Sequence, residues 1–281
     1  MRAKATDTRM APERIGEEEE SAAPGEFTPF EGDPNFVLSL ARGLRVIEVF
    51  EGRTAGLTVA DVARETGFSR AAVRRLLMTL ELLGYTEMSG RVYRLKTRIL
   101  NLGFSYLSST SLPAIAQPVL ERITEAVHES SSLSVLDDDQ IVYLARSTAK
   151  RVMSVGLSVG SRLPAYCTSM GRVLLAALPE EQLVDRLHHI EVRQLTPKTV
   201  VDKSLLADII RRVRMDGFAL TDEELELGLR SIAVPVKTRG GRVIAAMNTG
   251  VHAARVSAAE MMHRFLPVLQ ENAQMLGNYL S

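Results

Sequence analysis

The sequence predicts an α+β chain of two domains: a small unit of three helices and a hairpin over residues 36–98, and a larger mixed domain over 113–281, with a linker helix at 99–112 between them. Three observations predict it. The 281 residues, 46% of them hydrophobic, exceed what one core usually fills, so two cores are expected. Between Phe36 and Leu95 the apolar residues recur first at helical and then at alternating spacing, with capping residues and glycines at the joints. Beyond residue 113, strand-like and helical stretches interleave.

Residues 1–35 carry the run Glu17 to Glu20, several prolines and glycines, and little apolar periodicity, which predicts a disordered acidic tail. From Phe36, residues Leu40, Leu44, Ile47, Val49 and Phe50 mark a helix that ends at Gly52. Thr58 and Asp61 stand at the spacing of a capping box and open a short second helix that stops at Gly67. Ser69 is placed to cap a third, whose apolar side is Val73, Leu76, Leu77, Leu80 and Leu83. Its other face shows Arg70, Arg74 and Met78. Tyr85 to Leu95 alternates around Ser89-Gly90, giving a hairpin that carries Arg91 and Arg94. Helix, short helix, turn, helix, hairpin is the order of a winged helix-turn-helix.

Residues 97–127 read as helix interrupted by Ser108 to Pro113. Leu133 to Leu136 and Ile141 to Ala145 flank the turn Asp137 to Gln140, and Val152 to Val159 reads as a further strand. Helices are expected at Met170–Leu178, Pro179–His188 and Leu205–Met215. A hairpin of Ile232–Lys237 and Arg242–Thr249 follows, then an amphipathic helix from Ser257 to Leu280.

Lys and Arg balance Asp and Glu at 34 each, but a polyanion senses the surface it meets rather than the total. Residues 67–98 gather Arg70, Arg74, Arg75, Arg91, Arg94, Lys96 and Arg98 against Glu81 and Glu87 alone. A recognition helix needs small or hydrogen-bonding residues and arginines in its first two turns, and Ser69, Arg70, Ala71, Arg74 and Arg75 meet that need. Arg91 and Arg94 would follow the adjacent phosphates. Double-stranded operator DNA is therefore the expected partner. Arg75 lies nearest the apolar stripe, where a long side chain can simply cover it. The competing reading of the whole face is an ordinary solvated surface.

Other classes find less support. Nothing resembles a signal peptide, and no apolar run approaches the roughly 20 residues of a membrane span, so a soluble, cytoplasmic chain without membrane contact is expected. Cys167 is the single cysteine, better read as a small buried residue than as a redox switch. His128, His188, His189, His252 and His263 lack metal-ligand spacing, and no nucleophile elbow, phosphate loop or dinucleotide fingerprint is present. No catalytic residue, metal or cofactor is predicted, and the acidic runs Asp137 to Asp139 and Asp222 to Glu224 read as turns and solvated surface. The alternative that stays open is a small-molecule-binding module without DNA function.

The segments LTVADVARETG (57–67) and SRAAVRRLLMTL (69–80) resemble the winged helix of the IclR family of bacterial regulators. GSRLPAYCTSMGRVLLA (160–176), and Asp216-Gly-Phe218 followed by ELELGLRSIAVP (224–235), are similar to its second domain, so the resemblance spans about residues 36–281. Their wording is most similar to the subgroup that controls aromatic-acid catabolism and responds to protocatechuate or β-ketoadipate. The resemblance implies a GAF-like effector domain that binds a small organic acid and joins subunits into homodimers, often dimers of dimers. Carried over by position, its pocket implies Met153, Ala165, Tyr166, Asp222, Ser231, Asn248 and Gly250. Independently, Ser231 and Asn248 are polar groups in apolar strands, and Arg230 could meet a carboxylate two-pronged or bridge to Glu226.

Overall fold

The computed structural model describes residues 27, 30, 32–102, 112–149 and 157–280, in two compact units divided near residue 105. In the first unit, two of the three described helices begin where a side chain satisfies their free amides. Helix α1 (Leu38–Glu48) is followed by a two-residue strand β1 (Leu57–Thr58) and helix α2 (Val59–Thr66). The Thr58 hydroxyl accepts from the Asp61 amide while the Asp61 carboxylate accepts from the Thr58 amide, a complete capping box. Gly67 closes α2 in the left-handed conformation, and Ser69 caps α3 (Arg70–Leu82) through the Ala72 amide. Strands β2 (Thr86–Ser89) and β3 (Val92–Leu95) form the expected hairpin.

Strand β1 is a finding that the alternation did not predict. It pairs Leu57 with Tyr93 and Thr58 with Val92, tying the start of α2 to the hairpin in a three-stranded sheet. Gly56 makes this possible: a β-carbon there would stand 2.5 Å from the Tyr93 carbonyl oxygen, at φ +82°. Val46, Phe50, Leu57, Val62, Phe68, Val73, Leu77, Leu80 and Tyr93 share one core. Phe27 and Phe30 belong to the segment expected to be a disordered tail. Phe27 packs against that core, and Phe30 stacks on Phe36 at 4.8 Å.

After a 3-10 turn at Thr97–Ile99, the expected linker helix falls largely on residues outside the described set. The second unit opens with α4 (Leu112–Val127). Pro113 does not break it, because it sits in the first turn, where its missing amide has no helical partner to lose. Strands β4 (Ser131–Asp137), β5 (Gln140–Ser147) and β6 (Arg162–Pro164) follow. Then come α5 (Ser169–Ala176), α6 (Glu180–His189), α7 (Lys203–Asp216), β7 (Ala219–Asp222), β8 (Leu229–Lys237) and β9 (Val243–His252). The chain ends in α8 (Ala258–Glu260), a π turn (Met261–Phe265) and α9 (Leu266–Asn278), so the final helix is interrupted once.

The six strands run in the order β6-β5-β4-β9-β8-β7, and their pairings are antiparallel. Helices α4 and α9 cover one face through Leu120, Ile123, Leu133, Ile232, Met247 and Leu269. Helices α5, α6 and α7 cover the other through Tyr143, Met170, Leu183, Ile210, Ala233 and Ala246. β6 and β7 were not expected, being too short to establish a period. Of the strand expected at Val152–Val159, most lies outside the described residues, and Leu157–Val159 is loop and turn.

Candidate nucleic-acid interface and effector cleft

Ser69, Arg70, Ala71, Arg74 and Arg75 all lie exposed on the first turns of α3, and Arg91 and Arg94 lie exposed on the hairpin. Their exposure on α3 is legible in the sequence because helix period and caps fix which side of it meets solvent. Ser69 spends its hydroxyl on the Ala72 amide. Among the described residues, Arg70, Arg74, Arg75, Arg91 and Arg94 make no side-chain hydrogen bond or ion pair, whereas neighbouring Arg53 holds Glu65 and Arg64 holds Asp61. Five exposed guanidinium groups uncompensated by carboxylates make a positive surface of the kind that suits a polyanion. Arg75, the least secure by sequence, is exposed like the others and so is free of a packing role.

In the second unit, the loop before α5 carries Ala165, Tyr166 and Cys167, all buried. Gly171 lets this loop lie against α5, since a β-carbon there would come within 2.2 Å of the Ala165 carbonyl oxygen. Arg172, unremarked in the sequence, anchors it. Its guanidinium donates to both oxygens of Glu224 at 2.6 Å and to the Tyr166 carbonyl at 2.9 Å, with side-chain exposures of 3% and 10%. Glu224 also accepts from the Val200 amide, and its carbonyl from the Thr199 hydroxyl. The Tyr166 hydroxyl donates to the Arg193 carbonyl at 2.7 Å and accepts from its amide, so it is already satisfied. Burial pushes the Cys167 thiol up to about 12, leaving it protonated and inert at neutral pH.

The positions expected to hold an effector divide between the two faces of the sheet. Ser231, Asn248 and Gly250 share the α5 face with Thr221, Ala233 and Ala246, and the Ser231 hydroxyl bonds those of Ser169 (2.6 Å) and Thr221 (3.1 Å). Asp222 and Arg230 pair across β7 and β8 on the α4/α9 face. Arg230 is committed there: it donates to Asp222 at 2.8 Å and to the carbonyls of Ala253 and Val256. Its carboxylate partner is Asp222, not Glu226. Met153 lies outside the described residues.

Two residues that sequence reasoning passed over lie in the same row as Asn248. Ser132 is the register partner of Asn248 on one side and of Arg146 on the other, all on the α5 face. A serine in the apolar run Leu133 to Leu136 was a usable signal at Ser134, and Ser132 continues its alternation. Arg146, at a strand end, looked like any solvated charge. Tyr143 faces the same side, its phenol pushed up to about 12 by burial and so a neutral donor. Hollows of about 350 and 530 Å³ lie elsewhere, one between α9 and the β8–β9 turn beside Lys237, Arg239 and Gln274, and one along α6 beside Glu180, Glu181 and His188. Among the described residues no His, Cys, Asp and Glu cluster suits a metal, and no helix is long and apolar enough to cross a membrane.

Comparison with known proteins places these features. Residues 39–89 match the IclR helix-turn-helix domain, and residues 104–278 match the bacterial transcriptional regulator IclR C-terminal domain. The chain is 49% identical over 241 residues to the Pca regulon regulatory protein of Pseudomonas putida, covering 85% of this chain and 83% of that one. A crystal structure of a transcriptional regulator from Rhodococcus sp. RHA1 is 46% identical, covers 86% of this chain and 97% of its own, and superposes with a TM-score of 0.76. The inducer-binding domain of an Acinetobacter PobR double mutant, in complex with 3-hydroxybenzoic acid, is 34% identical, covers 61% of this chain and 100% of its own, and has a TM-score of 0.58. These relatives are transcription factors rather than enzymes, and with both domains matched in order the chain belongs to the IclR family of bacterial transcriptional regulators.

Proposed function

We propose that this protein regulates genes of aromatic-compound catabolism by binding operator DNA through α3 and its hairpin, under the control of a small organic acid such as protocatechuate or β-ketoadipate. The observation that carries the DNA half is the exposed set Arg70, Arg74, Arg75, Arg91 and Arg94, left without carboxylate partners while Arg53 and Arg64 of the same unit hold Glu65 and Asp61. Arg70 and Arg74 read base edges from the first turns of α3, with Ser69 and Ala71 at the groove floor. Arg75, Arg91 and Arg94 hold phosphates. A homodimer, or a dimer of dimers, sets two such heads on an inverted repeat in the cytoplasm, where the chromosome is.

The effector occupies the α5 face of the six-stranded sheet, beside Ala165, Tyr166, Ser231, Asn248 and Gly250. Support comes from likeness to regulators of aromatic catabolism and from a related inducer-binding domain crystallised with a hydroxybenzoic acid. Met153 is a further lining position by resemblance. Asp222 and Arg230 act as a brace across the sheet edge rather than as ligand contacts, since they satisfy each other. The acid changes operator affinity only by binding one arrangement of the heads better than the other, a coupling of about 1 to 3 kcal/mol. The test is calorimetric titration of the wild type and Asn248→Ala with each acid, beside operator binding. The reading expects the variant to lose acid binding and keep operator affinity. Loss of neither, or heat from neither acid with wild type, defeats it.

A further inference from the structure

The proposed effector face carries one cationic group that the fold leaves unspent, and its neighbours are unspent too. Arg146 is half-buried near the end of β5, and its Nε is fully buried with no hydrogen-bond partner. Next to it in the row, Ser132 is buried and Asn248 half-buried, and the described structure gives neither side chain a hydrogen bond. The fourth position of the row is Ala233, and Gly250 lies two residues along β9 on the same face, so the polar groups have small residues beside them in the sheet. A buried guanidinium nitrogen without an acceptor is costly, and this one stands in register with two further polar side chains across β5, β4 and β9.

The other buried arginines of this unit do not share that state. Arg172 is saturated by Glu224 and the Tyr166 carbonyl, and Arg230 by Asp222 and two carbonyls. Both carboxylates are supplied by the chain itself. At Arg146 the chain supplies none, and the group that best completes a planar guanidinium flanked by a hydroxyl and an amide is an external carboxylate.

We infer that Arg146 receives the carboxylate of the effector, with Ser132 and Asn248 bonding its oxygens. This rests on the effector reading above and deepens it by fixing which end of the acid lies beneath β5. The phenol of Tyr143, on the same strand and face, faces the body of the ligand. An aromatic monoacid and an aliphatic ketodiacid meet Arg146 through the same group, so the choice between them belongs to the rest of that face.

The experiment is calorimetric titration of the full-length protein with protocatechuate, β-ketoadipate and the neutral amide of protocatechuate, for wild type, Arg146→Met and Arg146→Lys. Wild type is expected to favour the better-bound acid over the amide by about tenfold to a hundredfold, the worth of one or two charged hydrogen bonds. Arg146→Met should bind the protocatechuate acid and amide within about twofold, and Arg146→Lys should fall between. Thermal melting separates a binding arginine from a structural one. With no internal partner to lose, ligand-free Arg146→Met should melt at or above the wild-type temperature and keep its operator affinity. An unchanged acid preference in Arg146→Met, or a fall in its ligand-free melting temperature, overturns the assignment while leaving the effector reading in place. Wild type that binds neither acid overturns both.

Discussion

On the outer face of α3, Arg70, Arg74 and Arg75 stand exposed without a carboxylate in reach, whereas in the second unit the arginines Arg172, Arg211, Arg214 and Arg230 each hold one. The same side chain does two jobs. Paired and buried, it is a fastener that joins segments distant in sequence, as Arg172 and Glu224 join α5 to the loop before β8. Unpaired on a helix face, it keeps its hydrogen-bonding capacity for a partner outside the chain. Which role an arginine takes is decided by whether the fold delivers a carboxylate to it, and that is a tertiary fact.

The sharpest test of this contrast is to remove one arginine from each region. Arg172→Met leaves Glu224 buried and uncompensated, and should cost about 3 to 5 kcal/mol of stability. Thermal or denaturant unfolding measures it, and Arg172→Met combined with Glu224→Leu should recover much of the loss. A single variant as stable as wild type would remove the fastener role. Gly56→Ala probes the first unit in the same currency, because its β-carbon would collide with the Tyr93 carbonyl at a positive φ. A loss of about 2 kcal/mol or more in unfolding of that unit is expected, with operator binding falling in step.

Arg74→Ala should behave oppositely to Arg172→Met. Its melting temperature should stay at the wild-type value, while specific operator binding weakens by about 1 to 3 kcal/mol. Unchanged operator affinity would break the contrast at its centre. The smallest effect concerns pH. Hydrogen bonds from Thr58, and then Arg64, draw the Asp61 carboxyl down from 3.8 to about 2. A carboxyl lowered on folding stabilises the native state above its unfolded value, so the contribution of Asp61 is complete above about 4 and is lost as pH falls toward 2. Asp61→Asn should flatten that part of the acid-unfolding curve, and a curve unchanged by the substitution would show that the cap contributes nothing there.

The two regions also differ in how far sequence reached. The helices, caps and basic face of the first unit were legible because each signal is local: Thr58 and Asp61 are three residues apart, and helical period alone decides that Arg70 and Arg74 face away from Val73 and Leu77. Strand β1 was not, since two residues establish no period and their partner Tyr93 lies beyond two helices. In the second unit the two hairpins were visible, but the order β5-β4-β9-β8 depends on long-range register. The row Arg146, Ser132, Asn248 exists only in that register. Asp222 and Ser231 come together in the pocket carried over by position, yet register and strand alternation set them on opposite faces of the sheet.

The central claim is that the unpaired arginines of α3 and its hairpin serve operator DNA under the control of an aromatic-catabolism acid. Its most direct measurement is fluorescence-anisotropy titration of the full chain onto DNA from its own upstream promoter, at two salt concentrations, with and without protocatechuate and β-ketoadipate. The account predicts specific binding that weakens steeply as salt rises and shifts by about five- to 150-fold with one of the acids. A folded protein that binds this DNA no better than an unrelated duplex at either salt would contradict it.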